Sequence, residues 1–302
     1  MIRPLLTALL ALLVPALAAA AEGVRLEKKG DAIVVTIDGK EFTTYNTAKT
    51  QPKPYFWPVV TADGANIVRS LEKPEDHPHH KGIWCSIDEV NGIKFWAEKG
   101  KIVNVSAEVV AEAGKPPRIH AVNHWVNADG SPVLRETIDV TFFPNRLMIY
   151  DAQFTAVDKP VTFHDTKEGM FGIRMANPLR ERVGGRIVNA EGLKGMKECW
   201  GKESKWVDYV GEMDGKTYGV TIFDGPNNVR KSRYHVRDYG LFSLSPFGQK
   251  AYTNDMLPAD PLTLEPGKSI RLRYGLYVHN GDTTEGHVVE AYEQFLKSEA
   301  KS

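Results

Sequence analysis

Asx-Gly pairs recur along this chain of 302 residues, and Asp38-Gly39, Asp63-Gly64, Asn91-Gly92, Asp129-Gly130 and Asp214-Gly215 each separate stretches rich in Val, Ile, Thr and aromatic residues. A two-residue hairpin turn of type I′ demands positive φ at both positions, which glycine adopts freely and Asn or Asp tolerates. The pairs therefore predict antiparallel hairpins along most of the chain. Alternation agrees: Val24 and Leu26 against Arg25 and Glu27, Ile102 and Val105 around Asn104, Leu147 and Ile149 against Met148 and Tyr150, and Ile270, Leu272 and Tyr274 against Arg271 and Arg273. Gly114 to Pro117 reads as a further hairpin loop. Only the end departs from period two. Asp282 with Glu285 forms a capping box, and Val288, Ala291, Tyr292, Phe295 and Leu296 make one apolar face, so a helix is expected over about 283–298.

The expected fold class is therefore all-β, a large antiparallel β-sandwich with one C-terminal helix, whose curved, concave side holds any site. Residues 22–302 are expected to form a single domain, because no linker interrupts them and all-β units run to about 250 residues. Pro178 to Lys205, with five glycines and mixed charge, is the longest stretch without a pattern and reads as a long loop.

Arg3 precedes an apolar run from Leu5 to Leu17, and the alanines at 18 to 21 offer small-residue cleavage points, the pattern of a secretory signal peptide over residues 1–21. Cleavage near Ala20 or Ala21 leaves an exported protein, periplasmic or secreted. The run is shorter than the roughly 20 apolar residues of a membrane span, and no later stretch reaches that length. Lys plus Arg equals Asp plus Glu at 38 each, so losing Arg3 leaves a net charge of −1. That balance excludes a non-specific nucleic-acid partner, which needs a surplus of bases to release counterions. It fits soluble or wall-associated glycans. Export leaves a Cys85–Cys199 disulfide open, and a buried thiol at Cys85, inside an apolar run, stays equally open.

Three clusters carry chemistry. In Asp76-His77-Pro78-His79-His80-Lys81-Gly82, an extended backbone puts His77 and His79 on one face and His80 on the other. Two readings stand: a divalent metal site completed by a third ligand, or an imidazole acting as acid or base near neutrality. In Asp165-Thr166-Lys167-Glu168-Gly169 a strand ends in alternating charges, and Glu168 turned toward a histidine would split a proton donor from an acceptor. In His235-Val236-Arg237-Asp238-Tyr239 an extended chain places His235, Arg237 and Tyr239 on one face, a guanidinium fork beside a ring on which a sugar can stack. Trp84 and Trp96 flank the Asn91-Gly92 turn and are the tryptophans expected to line a cleft. His120 and His124 read as structural. The chain has no Gly-x-Ser-x-Gly elbow, phosphate-cradling glycine loop, His-Glu-x-x-His or dinucleotide fingerprint, which demotes serine hydrolases, kinases and dehydrogenases.

Taken in order, Asp76 to Trp84, Asn91-Gly92 with Phe95-Trp96, Asp165 to Gly169, and His235 to Phe242 resemble a bacterial family labelled PmoA-like, or methane oxygenase PmoA, over roughly Glu41 to Leu296. The label names an integral membrane subunit with several long apolar helices, which this sequence does not contain, so that role is rejected. The resemblance implies exported proteins of polysaccharide-degrading bacteria and a galactose-mutarotase-like supersandwich, in which a histidine and a glutamate on the concave sheet act as acid and base. Carried over by motif, it implies His79, His80, Lys167, Glu168, His235, Arg237 and Asp238. The sequence departs at Gly225, where members often show a histidine after the aspartate, and at Tyr234, where they show a tryptophan.

The leading functional expectation is an exported carbohydrate-active enzyme performing hydrolysis, elimination or epimerisation on a sugar or modified glycoside. Its acid and base come from Glu168 with His79, His80 or His235, and Lys167, Arg237, Asp238, Tyr239, Trp84 and Trp96 hold the substrate. Two alternatives stay open, a non-catalytic carbohydrate-binding module and a metal-dependent enzyme using His77, His79 and His235. No cofactor is fixed.

Overall fold

In chain order the strands are β1 (Val24–Lys29), β2 (Ala32–Ile37), β3 (Lys40–Asn46), β4 (Tyr55–Val59), β5 (Ile83–Cys85), β6 (Lys101–Val110), β7 (Arg118–Val126), β8 (Pro132–Phe142) and β9 (Leu147–Ala156). They continue as β10 (Val161–Phe163), β11 (Phe171–Arg174), β12 (Arg186–Asn189), β13 (Trp206–Met213), β14 (Lys216–Asp224), β15 (Arg233–Val236), β16 (Leu241–Ser245), β17 (Leu262–Leu264) and β18 (Ser269–Asn280). The computed structural model describes residues 23–299, so the expected signal peptide lies outside the described residues. The turns behave as their chemistry requires. Asp38 and Gly39 between β2 and β3 have φ of 51° and 75°, and Asp214 and Gly215 between β13 and β14 have 53° and 72°.

Two eight-stranded antiparallel sheets result, ordered β1-β2-β3-β4-β5-β11-β16-β15 and β12-β13-β14-β18-β9-β8-β7-β6, with β10 and β17 as a separate pair. The antiparallel sandwich expected from the sequence is present. Ile83, Cys85, Phe171, Ile173, Phe242, Leu244, Tyr234 and Val236 enter the core between the sheets. Their neighbours in the strands point the other way. Register then aligns Trp84, Gly172, Ser243 and His235 in one row across β5, β11, β16 and β15, on the outer face of the first sheet. That row floors the site.

Several sequence expectations need adjusting. The C-terminal helix (α3, Val288–Glu299) starts later than expected, because residues 283–287 form a turn. Its capping box is made nonetheless, with Asp282 Oδ1 accepting from the Thr284 and Glu285 amides and Glu285 from the Asp282 amide. It is not the only helix: α1 (Gly195–Cys199) and α2 (Gln249–Tyr252) are short, and α1 lies in the stretch read as a loop, together with β12. Leu147, Met148, Ile149 and Tyr150 are all buried, since Leu147 and Ile149 pack against Val288, Ala291 and Phe295 of α3 while Met148 and Tyr150 face the sandwich core. Burying Val288 and Phe295 there contributes about 1.5–3 kcal/mol each, and Ala291 less. Val105 is exposed because the β6–β7 register shifts between Asn104 and Ser106. Cys85 and Cys199 are both buried free thiols.

Candidate functional site

The histidine segment is a tight turn, not the extended strand its sequence suggests. The His80 amide donates to the His77 carbonyl at 3.0 Å, and His77 has φ of +40°, a left-handed conformation that a non-glycine residue adopts only when its surroundings impose it. Arginine and lysine donors impose it here. Arg69 donates to the carbonyls of Asp76, His77 and His80, and Lys53 donates to that of His79. Gly82 closes the turn with φ of +54°, where a Cβ would stand 1.9 Å from the Phe56 carbonyl oxygen. The rings consequently stack in a column. Tyr239 lies 5.4 Å from His77, His77 4.8 Å from His80 and His80 5.1 Å from Trp84, all within 16° of parallel, with His79 edge-on to His77 and His80. His77 is therefore on the same side as His80, contrary to the extended-chain expectation.

Depth sorts these histidines. His80 is 1% exposed, and its Nδ1 accepts from Arg174 Nη1 at 3.2 Å, so the neutral ring carries its proton on Nε2. Burial, reinforced by His79, His77 and two arginines, drives its pKa far down. His79 is half-buried and held to about 4 by burial and then by Lys53. Lys53 is itself buried, paired with Glu98 at 2.6 Å, and lowered to about 8 by that burial. Only His77 is largely open, with Nδ1 3.3 Å from Asp76 Oδ1. Asp76 also accepts from Arg69 at 2.6 Å and Arg174 at 2.8 Å. Burial alone would raise the Asp76 carboxyl, but bonds and charge from Arg174, with His77 and Arg69, hold it at about 2.

Glu168 enters from the loop between β10 and β11. That loop is anchored at Asp165, which accepts the Lys250 and Ala251 amides at 2.9 and 3.0 Å, and at the Lys167 carbonyl, which accepts Tyr252 Oη at 2.6 Å and His235 Nδ1 at 2.9 Å. His235 Nε2 accepts Arg237 Nε at 2.9 Å. With Nδ1–H donated and Nε2 accepting, the His235 ring is fixed as a neutral tautomer, and burial followed by the charge of Arg237 depresses its pKa to about 3. Glu168 Oε2 lies 4.0 Å from His235 Nδ1, beyond hydrogen-bond reach. Burial raises the Glu168 pKa and Asp88 adds to it, while Lys167, Arg237 and His77 pull it down. Arg237 is held over the Trp200 ring at 5.5 Å.

One surface thus gathers His77, Glu168, His235, Arg237 and Tyr239, and the field at Tyr239 registers Arg237, Arg174, Glu168 and Asp76 together. Tyr239 lies in a turn beyond β15, which ends at Val236, so the extended run expected over 235–239 stops early. Its ring is already engaged by His77, Arg174 and Arg182 and is not a free stacking platform. Asp238 stands on the rim, paired with Arg182 at 3.1 Å, and Lys167 is exposed. Trp84 and Trp96, at 1% and 2% exposed, do not line the cleft as expected; the histidine turn covers them, and each leaves its Nε1 without a partner among the described residues.

The metal set His77, His79 and His235 is not assembled. Among the described residues no three His, Cys, Asp or Glu side chains are disposed to hold a metal ion, and both His235 nitrogens are engaged. A recess of about 390 Å³ opens beside Arg69, Asp76, Arg174 and Arg180. Arg69, Arg174 and Lys53 escaped the sequence reading. Arg174 lies 98 residues from Asp76, and no local spacing marks it; the signal available was a basic residue ending an apolar strand.

Likeness to solved structures is distant. Galactose 1-epimerase from Lactobacillus acidophilus NCFM is 8% identical over 87% of this chain and 100% of its own, with a TM-score of 0.43. The Slr1438 protein from Synechocystis sp. PCC 6803 is 9% identical over 88% and 99%, with a TM-score of 0.37. A polysaccharide lyase is 12% identical over 91% of this chain but 35% of its own, with a TM-score of 0.36. Nothing about the site rests on these likenesses. A search of curated proteins gave no significant match. Among the described residues no helix is long and apolar enough to cross a membrane. A family profile covers residues 32–293, and on that match the chain belongs to the family described as "Family of unknown function (DUF6807)".

Proposed function

We propose that the protein is an exported carbohydrate-active enzyme in which Glu168 and His77 exchange protons with a sugar or modified glycoside. The observation that carries this reading is the state of Glu168: a half-buried carboxyl, its pKa raised by that burial, with no hydrogen bond to its oxygens among the described residues. Across from it the Asp76–His77 pair orients an imidazole whose other nitrogen is left for a substrate, the arrangement that lets a histidine accept or donate a proton. His80 and His235 act through others in this reading, His80 on Arg174 and His235 on Arg237. His79 braces the turn. The substrate class comes from the motif resemblance to exported proteins of polysaccharide degraders, kept for its residues and not for the oxygenase in its label, and from the polar groups His77, Glu168, His235 and Arg237 gathered on one surface.

A lectin-like module holds sugars on exposed aromatic faces. Among the described residues no Trp, Tyr or Phe is largely exposed, which favours catalysis over simple binding. Calorimetry against a glycan panel, paired with product analysis, separates the two. Conversion of a bound glycan by the wild type, lost in Glu168→Gln, supports the enzyme; binding with no new product supports the module.

A further inference from the structure

Among the described residues Arg237 is held from two sides and makes no ion pair, although its charge reaches Glu168. Its Nε is spent on His235 Nε2 at 2.9 Å, its plane is carried over Trp200 at 5.5 Å, and His235 is itself tied to the Lys167 carbonyl at 2.9 Å. Among the described residues its two terminal nitrogens meet no carboxylate, and the neighbouring Lys167 ammonium meets none either. The acids nearby are already committed. Asp238 is paired with Arg182 at 3.1 Å, Asp76 with Arg69 and Arg174, Asp165 accepts the amides that open α2, and Asp88 accepts the Ala97 amide at 3.2 Å. Glu168 is the remaining carboxylate, and its nearest approach to this assembly is the 4.0 Å to His235. A guanidinium fixed through Nε presents Nη1 and Nη2 as an open fork, the geometry that matches a planar carboxylate. Nothing in folding requires so fixed a fork to point at solvent.

We infer that Arg237, assisted by Lys167, receives the carboxylate of an acidic sugar, a uronic acid unit, and so sets the substrate class of the cleft. The inference rests on the carbohydrate reading above and narrows it. His235 is the positioning residue of this fork: it accepts from Arg237 and touches no substrate.

The test is calorimetric titration of the purified protein with D-glucuronate against D-glucose, and D-galacturonate against D-galactose, with tartrate as a carboxylate that is not a sugar. The wild type is expected to bind each uronate at least about tenfold more tightly than its neutral counterpart, the yield of one charge-assisted fork. Arg237→Met should erase the preference. Lys167→Met, on an exposed side chain that leaves folding intact, should lose part of it. Neutral sugars binding as tightly as uronates, or a preference that survives Arg237→Met, overturns the inference. So does the absence of binding by any of the five probes. Tartrate bound through Arg237 with no affinity for any sugar upholds the carboxylate fork and sinks the carbohydrate reading instead.

Discussion

Glu136, fully buried between the sheets, and Glu168, half-buried on the outer face of the first sheet, are both raised by burial, yet they are furnished in opposite ways. Glu136 accepts from Tyr150 Oη at 2.6 Å, Asn123 Nδ2 at 3.1 Å and Trp125 Nε1 at 3.2 Å, an enclosed network with every bond accounted for. Glu168 has no such partners and sits among cations and an open imidazole. A buried polar group satisfied within the protein specifies architecture; one held apart at a surface stores reactivity for something that arrives.

Exchanging the two glutamates' roles by mutation is the sharpest way to break this contrast. Glu168→Gln should lower turnover of a converted glycan by about 100-fold or more while leaving Tm unchanged, and Glu136→Gln should do neither. Equal loss from both, measured by steady-state kinetics, would erase the distinction. Glu136→Leu should cost about 3 kcal/mol in urea unfolding, because it strands the Tyr150, Asn123 and Trp125 donors, without touching turnover per folded molecule. Asp76→Asn should be milder on stability, about 2 kcal/mol, since its carboxylate is partly solvated while Arg69 and Arg174 stay buried. It should also blunt activity by releasing His77.

The smallest effect is a pH dependence away from the site. Asp208 and His279 form a buried pair at 3.0 Å, and Thr283 Oγ1 on the turn before α3 donates to the same carboxylate at 2.6 Å. Burial alone would lower His279, but Asp208 raises it above the ordinary histidine value. A raised folded-state pKa contributes stability that is complete below about pH 6.5 and fades as pH climbs through the folded value. The wild-type Tm should therefore fall slightly on the alkaline side. His279→Asn should flatten that slope, and an unaltered slope would assign it to other groups.

How much of this was legible in the sequence follows from the range of each interaction. The hairpins and the C-terminal helix were readable because Asx-Gly turns, alternation and the Asp282 capping box act within a few residues. Glu168, His235 and Arg237 were visible as dense titratable motifs; the sheet register places His235, and the loop tied down at Asp165 and the Lys167 carbonyl brings Glu168 near it. The histidine segment is a turn and not extended because Arg69 and Lys53 hold its carbonyls, contacts that no sequence spacing marks. Trp84 and Trp96 carried the right composition for a sugar platform, but the turn folds over them. The bulge that exposes Val105 has no local signature.

The most direct measurement is a crystal structure of Glu168→Gln soaked with a uronate-containing oligosaccharide. The expected complex has the sugar ring beside His77, a hydroxyl or ring oxygen within hydrogen-bond reach of residue 168, and the carboxylate on the Arg237 fork. Sugar bound instead in the groove formed by Lys101, Val103, Val105 and His124 at the edge of the second sheet, with the Glu168 cleft empty, would contradict it.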